Sequence, residues 1–191
     1  LDDMTLGIAC LLSDDAAEVE MLAQRLHTMN LERRAIEADM QEAASIALDD
    51  IDVSKRFSLS IFEPEWHQGV IGILASRVKE QYHRPVIAFA SAGDGTLKGS
   101  GRSIVGLHLR DALDLVAKRH PGLILKFGGH AMAAGLTIDE DGLETFESAF
   151  EAVAQALLSP SDLDEVIEVD GALDGQALDW NLALALEKQV W

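Results

Sequence analysis

The chain has 191 residues, a net charge of −18 and a single cysteine. This length is sufficient for one sizeable domain with its own hydrophobic core. One cysteine excludes an internal disulfide, which fits a reducing cytoplasm. No apolar run reaches the roughly 20 residues of a membrane span, and the start of the sequence lacks the pattern of an export leader. Both ends lack the features of natural termini, so we expect a cytoplasmic piece of a longer protein.

The charge is distributed unevenly along the chain. Residues 1–50 hold twelve acidic and three basic residues, and residues 139–191 hold fourteen acidic residues and one basic residue. Residues 51–138 hold seven acidic and eleven basic residues. Because phosphate binding requires a basic surface, a nucleic-acid interface is expected only in the central segment. The acidic flanks are typical of solvated helix surfaces.

The first predicted element is a long helix over residues 14–52. Its apolar residues recur at steps of three and four and form one seam, with Arg33 in the single polar gap. The seam consists of Val19, Leu22, Leu26, Met29, Ile36, Met40, Ala43 and Ala47. Such a helix is a rod of roughly 50 Å, so we predict a connector between two bodies. A coiled-coil dimer is the alternative, although a seam that ends in alanines makes a weak zipper.

Residues 53–158 predict an α/β domain with a mixed sheet flanked by helices. The predicted strands are 57–62, 86–90, 96–103 and 136–138, and residues 123–127 lead into a glycine pair. The predicted helices are 69–82, 107–119 and 143–158. After Ser159-Pro160-Ser161, a strand over 166–171 indicates the start of another domain.

Three glycine-bearing segments are candidates for binding chemistry, because each lies where a strand meets a loop or a helix. In the first, Gly69 and Gly72 follow His67 at the start of a helix, where free backbone N–H groups attract anions. Close packing of the helix is an equally good explanation of these glycines. This segment alone therefore leaves both interpretations open.

The second segment is Gly99-Ser100-Gly101-Arg102-Ser103. A guanidinium matches two phosphate oxygens at once, and serine hydroxyls complete such a cage. Two glycines weaken a strand, and the usual reason for them is the close approach of a ligand. The alternative is an edge strand with an exposed arginine.

The third segment is Gly128-Gly129-His130, followed by small residues up to Gly135. Paired glycines expose backbone N–H groups, and His130 can donate to a phosphate or transfer a proton. A lone histidine is more often structural. A two-metal phosphodiesterase centre requires several converging aspartates and histidines, and the sequence contains no such pattern. We therefore expect binding groups without a catalytic centre or a metal site.

In this order and spacing, the three segments resemble the DHHA1 domain of RecJ exonucleases. The matching strings are WHQGVIGILASR from Trp66, GSGRS from Gly99 and FGGHAMAAGL from Phe127. The resemblance implies four parts of the chain. They are the tail of a DHH domain (1–13), a connector helix (14–52), a DHHA1 substrate-binding domain (53–158), and a linker with the truncated start of an OB-fold domain (159–191).

The resemblance implies a single-strand-specific 5′–3′ DNA exonuclease of recombination and repair, whose Mn²⁺ or Mg²⁺ is bound by a DHH domain outside this chain. The implied phosphate ligands are Ser100, Arg102, Ser103, Gly128, Gly129 and His130, with Arg77 and His67 as weaker candidates at the cleft edge. The arginine and the serines would take the terminal phosphate. The Gly-Gly-His segment would hold phosphates near the scissile bond, with His130 in an assisting role.

The implied partners are single-stranded DNA and a single-strand-binding protein or a helicase, for a monomer without membrane contact. The chain by itself is expected to be inactive, because the metal ligands lie elsewhere. Two alternatives remain. One is a different DHH-family phosphodiesterase that acts on oligoribonucleotides or cyclic dinucleotides, and the other is a non-catalytic nucleic-acid-binding or scaffold module.

Overall fold

The computed structural model describes residues 4–49, 52–166, 169, 171–172, 175 and 179–189. The described helices are α1 (Thr5–Leu12), α2 (Ala16–Asp49), α3 (Ile71–Tyr82), α4 (Leu109–Arg119), α5 (Leu143–Leu157) and α6 (Trp180–Glu187). The described strands are β1 (Leu59–Phe62), β2 (Val86–Ser91), β3 (Thr96–Arg102), β4 (Lys126–Gly129) and β5 (Ala133–Asp139). Within these residues, no helix has both the length and the apolar character needed to cross a membrane.

The five strands form one mixed sheet in the order β1-β2-β3-β5-β4. Strands β1 and β2 are parallel and are joined through α3, because parallel neighbours require a crossover connection. The other neighbouring pairs are antiparallel. The α/β class with a mixed sheet and flanking helices, expected from the sequence, is confirmed.

The sheet separates two hydrophobic cores. On one face, which we call the core face, α4 and α5 pack against β2, β3 and β5 through large side chains such as Phe89, Phe146 and Phe150. On the opposite face, α2 and α3 pack against β1 and β2 around Leu74 and Val86. Strand β2 is buried on both faces, which explains its continuous apolar sequence.

Helix α2 contains 34 residues, so it is about 50 Å long. Only its second half joins the core, through Met40, Ala44 and Leu48. The predicted seam placed Ala43 and Ala47 there instead, and the structure leaves Ala47 exposed. The shift of one position has a clear cause, because α2 turns its side chains towards α3 over this half, whereas α1 packs along the first half.

Two predicted strand boundaries differ from the structure. Strand β1 begins at Leu59 rather than at residue 57, because the buried carboxylate of Glu151 on α5 accepts the N–H groups of Phe57 (2.9 Å) and Ser58 (2.8 Å). Strand β5 begins at Ala133, three residues earlier than predicted. Alanine and glycine are poor strand formers, but the pairing of β5 with both neighbours overrides that preference.

Arg84 joins the C-terminal segment of the domain to the sheet. Its Nε donates to the carbonyl of Arg56 at 2.7 Å, and its Nη1 donates to the carbonyl of Leu163 at 2.8 Å. Burial lowers the pKa of this guanidinium, while the charges of Asp164 and Glu151 oppose that effect. The predicted strand over 166–171 includes Ile167, Glu168 and Asp170, which lie outside the described residues.

Candidate functional site

The face of the sheet opposite the core face is covered only in part. Helix α3 packs over β1 and β2 and reaches the edge of β3, whereas Lys98, Lys126, Gly128 and Gly135 are exposed. We call the uncovered part, over β3, β5 and β4, the open face. Side chains alternate between the two faces along a strand, and the register gives the members of the open face. They are Lys98, Ser100, Arg102, Lys126, Gly128, Ala133, Gly135 and Thr137.

Arg102 lies at the border between α3 and the open face. Its Nε donates to the hydroxyl of Ser76 at 3.1 Å, and its Nη1 donates to the carbonyl of Gly101 at 2.9 Å and to the hydroxyl of Ser100 at 3.4 Å. Among the described residues, no carboxylate forms an ion pair with Arg102. A half-buried guanidinium held by neutral groups retains its full charge for an anionic ligand.

Gly72, in the first turn of α3, provides the space for this arginine. A Cβ added at Gly72 would lie 3.0 Å from the hydroxyl of Ser100 and 3.1 Å from Nη2 of Arg102. The guanidinium therefore lies directly against the beginning of the helix, where the helix dipole favours negative charge. Gly72, Ser76, Ser100 and Arg102 form what we call the arginine pocket.

Ser103 is not part of this pocket. Its side chain is 1% exposed, and its hydroxyl donates to the carbonyl of Leu107 at 2.7 Å. The predicted role of Ser103 as a phosphate ligand is therefore wrong in geometric terms, since a ligand cannot reach a hydroxyl that supports the loop before α4. The strand period explains the error, because neighbouring residues of a strand point to opposite faces.

The Gly-Gly-His segment lies at the same end of the sheet as Arg102. Arg102 pairs with Ala133 across β3 and β5, and the N–H of His130 donates to the carbonyl of Ala133 at 2.8 Å. With strands about 4.8 Å apart, the backbone of His130 lies roughly 10 Å from that of Arg102. The side chain of His130 is exposed. The structure thus brings the second and third predicted segments together along one edge.

The glycines of the two segments have different structural reasons. A Cβ at Gly99 would lie 2.5 Å from Leu136 and 2.7 Å from Phe89, and one at Gly101 would lie 2.8 Å from Leu109. These two glycines serve the core face, so the predicted close approach of a ligand does not explain them. A Cβ at Gly128, in contrast, would meet no atom within 4 Å.

Arg77 and His67 do not join the arginine pocket. Nε of Arg77 lies 3.3 Å from a carboxylate oxygen of Glu37 on α2, and its Nη1 lies 3.5 Å from Glu80. These ion pairs explain Arg77 as a tie between α2 and α3. Nδ1 of His67 accepts the N–H of Gly69 at 3.0 Å in the turn before α3. That bond also occupies one of the N–H groups expected to bind an anion.

Comparison with known proteins identifies the domain that carries these residues. A family model described as the DHHA1 domain matches residues 54–158, which is more than half of the chain. The chain belongs to the DHHA1 family. Every residue of the arginine pocket and of the Gly-Gly-His segment lies inside the matched range.

The DHHA1 chain is also similar to curated proteins named single-stranded-DNA-specific exonuclease RecJ. It is 52% identical to the one from Dickeya dadantii over 91% of this chain and 31% of the relative. It is 49% identical to the one from Escherichia coli over 97% of this chain and 33% of the relative. The chain thus spans about a third of the length of these relatives.

Solved structures support the same assignment. The RecJ of Thermus thermophilus in complex with Mg²⁺ matches 80% of this chain and 23% of its own chain, with a TM-score of 0.69 and 34% identity. A structure of exonuclease RecJ bound to manganese matches 83% of this chain and 38% of its own chain, with a TM-score of 0.69 and 34% identity. The DHHA1 fold predicted by resemblance is confirmed.

The described part of this DHHA1 chain contains no group of three or more His, Cys, Asp or Glu side chains that could hold a metal ion. The residues present therefore do not fit the Mg²⁺ or Mn²⁺ of the RecJ structures. What this surface offers is a guanidinium, hydroxyls, backbone N–H groups and an exposed imidazole. Those groups bind and orient a phosphate.

Sequence reasoning missed two members of the arginine pocket. Ser76 was part of the matching string but was not assigned a role, and Gly72 was interpreted as a packing or anion-binding residue without a partner. The signal was present in the spacing. Residues four apart lie on the same side of a helix, so Gly72 and Ser76 had to face one common neighbour.

Proposed function

We propose that this chain is the DNA-gripping part of a single-strand-specific 5′–3′ exonuclease of recombination and repair. In this proposal, Mn²⁺ or Mg²⁺ and the hydrolytic step belong to a DHH domain outside the chain. The observation that carries the proposal is the guanidinium of Arg102, which is oriented by Ser76 and Ser100 and has no ion-pair partner among the described residues. The similarity to RecJ exonucleases supports the choice of single-stranded DNA as the ligand.

The terminal 5′-phosphate would occupy the arginine pocket. Arg102 would donate to two of its oxygens, Ser100 would complete the cage, and the first turn of α3 at Gly72 would add a favourable dipole. Gly128, Gly129 and His130 would contact the following phosphates, because they lie along the same end of the sheet. A phosphate fixed at this point would set the position of the bond that is cut.

The remaining assignments belong to the same proposal. The division of the chain at residues 13, 52 and 158, with an OB-fold after 159, follows the resemblance. So do a cytoplasmic location, a monomeric state and contact with a single-strand-binding protein or a helicase. Arg77 and His67 are not needed for phosphate binding in this form of the proposal, because both have structural partners.

Binding measurements with matched oligonucleotides test the arginine pocket. We expect the chain to prefer a 5′-phosphorylated single strand over the same strand with a 5′-hydroxyl, and Arg102→Ala to remove that preference. A hydrogen bond to a charged group contributes about 1.5–3 kcal/mol, so the phosphorylated strand should lose roughly tenfold or more in affinity. Arg110→Ala, an exposed arginine on α4 below the core face, is the control. Unchanged preference in Arg102→Ala would remove Arg102 from the pocket.

The assignment of hydrolysis to another domain has its own test. The purified chain, incubated with Mn²⁺ and labelled single-stranded DNA, should leave the DNA intact, because its described residues form no metal site. Metal-dependent digestion that co-purifies with the chain, and that is lost in Arg102→Ala, would contradict this assignment.

A further inference from the structure

The open face carries two basic rows separated by a row of small residues. Across β3, β5 and β4, the first row is Lys98, Thr137 and Lys126, and the second is Ser100, Gly135 and Gly128. The third row is Arg102, Ala133 and His130. Successive rows are two residues apart along the strands, which corresponds to about 7 Å. The arginine pocket uses only the second and third rows, so the first row has no role yet.

The first row is arranged so that its donors converge. Nζ of Lys98 donates to the hydroxyl of Thr137 at 3.1 Å across the β3–β5 pair. Lys126 stands opposite Thr137 on the other side, in the edge strand β4. With strands about 4.8 Å apart, the two lysine backbones lie roughly 10 Å from one another. Two ammonium groups and a hydroxyl therefore flank a single groove of about 390 Å³.

The floor of this groove is bare backbone. Gly128 and Gly135 pair with each other between the lysine row and Arg102. A Cβ at Gly128 would meet nothing within 4 Å, and one at Gly135 would meet only the carbonyl of Gly99 at 3.7 Å. Neither has a positive φ. The protein itself therefore gives no reason for glycine at these two positions, whereas close approach of a ligand to the strands does.

The charge of the groove is unusual for so acidic a chain. Among the described residues, neither Lys98 nor Lys126 forms an ion pair with a carboxylate. Carboxylates appear only beyond the lysine row, at Asp94 in the turn before β3 and at Asp139 at the end of β5. Bonds from Thr96 lower the pKa of Asp94, and Lys98 adds a smaller effect. The anion-binding part of the open face thus ends at the lysine row.

We propose that Lys98, Lys126 and Thr137, above the floor of Gly128 and Gly135, form a second phosphate site for a nucleotide further along the same strand. This inference rests on the proposed function, because the first phosphate occupies the arginine pocket. The strand enters at Arg102, crosses the glycine floor and leaves past the lysine row. A free mononucleotide reaches the first site alone, whereas an oligonucleotide reaches both.

The test compares the double variant Lys98→Ala/Lys126→Ala with a control of equal charge change. Lys55→Ala/Lys118→Ala is that control, because its side chains are 80% and 72% exposed and lie outside the open face. Binding of a thymidine homopolymer and of thymidine 5′-monophosphate is measured over a series of salt concentrations. Each phosphate contact contributes about 0.7 to the slope of log K against log salt for single strands.

We expect the double variant to bind the homopolymer roughly tenfold more weakly at low salt, with a slope smaller by about 1.4, and to keep the affinity for the mononucleotide. A slope equal to that of the control would overturn the second site. The proposed function fails separately, through an Arg102→Ala variant that keeps its preference for a 5′-phosphate. Absence of homopolymer binding by the unaltered chain at every salt concentration would overturn both.

Discussion

The two faces of the sheet use glycine for opposite purposes. On the core face, Gly99 and Gly101 leave space that Phe89, Leu136 and Leu109 fill. On the open face, Gly128 has no protein atom where a side chain would be. One face therefore has glycine because the protein is crowded, and the other has glycine although the protein is not. This difference separates glycines that maintain the fold from glycines that leave room for a ligand.

The adjacent residues Gly128 and Gly129 give the sharpest contrast. Gly129 has a φ of +145°, and a Cβ there would lie 2.4 Å from the carbonyl oxygen of Ala133. Gly129→Ala should lower the free energy of unfolding by about 3 kcal/mol, because backbone strain adds to a contact with a strand that cannot move. Urea denaturation measures the change. Gly128→Ala is the control and should change stability by less than about 0.5 kcal/mol.

Equal stability of these two variants would contradict the assignment of Gly129 to the fold. The control has a second use. Gly128→Ala should fold normally and bind single-stranded DNA more weakly, because the added methyl group occupies the floor of the groove. A Gly128→Ala variant with unchanged DNA affinity would remove the glycine floor from the binding surface.

Strands β3 and β5 offer the same contrast across a sheet rather than along a strand. Gly99→Ala should cost about 2 kcal/mol, because Phe89 and Leu136 are buried and can make room only by leaving their packed positions. Gly135→Ala, on the open face of the neighbouring strand, should cost less than about 0.5 kcal/mol. Thermal and urea unfolding of the two variants check the ranking. The opposite ranking would mean that the two faces have been misassigned.

The sequence was sufficient for the elements and for the position of the main ligand. Periods of 3.6 and 2 located α3, α4, α5 and the central strands to within a few residues. Arg102 was recognised because an arginine between serines on a glycine-rich strand has no apolar role. Both conclusions depend on local pattern, and local pattern is directly visible in a sequence.

The sequence was insufficient wherever a partner lies far along the chain. Arg77 was a candidate ligand until the structure placed it against Glu37, 40 positions earlier. Ser103 was grouped with Arg102, although neighbouring residues of a strand face opposite sides. The reason for Gly99 depends on Phe89 and Leu136, which the β-sheet register brings to it. Such facts require the register and the packing, and no local motif contains them.

The attachment of α2 to α3 should contribute little and should depend on pH. A hydrogen bond from Arg33 and a weaker one from Arg77 lower the pKa of Glu37 below its ordinary value of 4.5, although burial opposes them. A lowered folded pKa stabilises the protein above the unfolded value, and this contribution is lost as pH falls through the folded value. Glu37→Gln should therefore cost less than about 1 kcal/mol at neutral pH and nothing in acid.

Urea denaturation of the unaltered chain and of Glu37→Gln, at neutral pH and well below the ordinary pKa of a carboxyl group, measures that difference. Glu80→Gln is the control, because Glu80 contacts Arg77 from the same helix and does not reach α2. A difference between Glu37→Gln and the unaltered chain that grows as pH falls would contradict the pKa direction.

The smallest expected effect distinguishes the ends of two helices that both stop at a histidine. His83 ends α3 in the left-handed region, with a φ of 47° and a ψ of 52°, whereas His120 ends α4 with a φ of −129°. Glycine adopts the left-handed region without steric cost. His83→Gly should therefore stabilise the chain by about 0.5 kcal/mol, and His120→Gly should destabilise it slightly through added freedom of the unfolded chain. Equal destabilisation by both substitutions would show that the side chain of His83 contributes more to stability than its backbone strain costs.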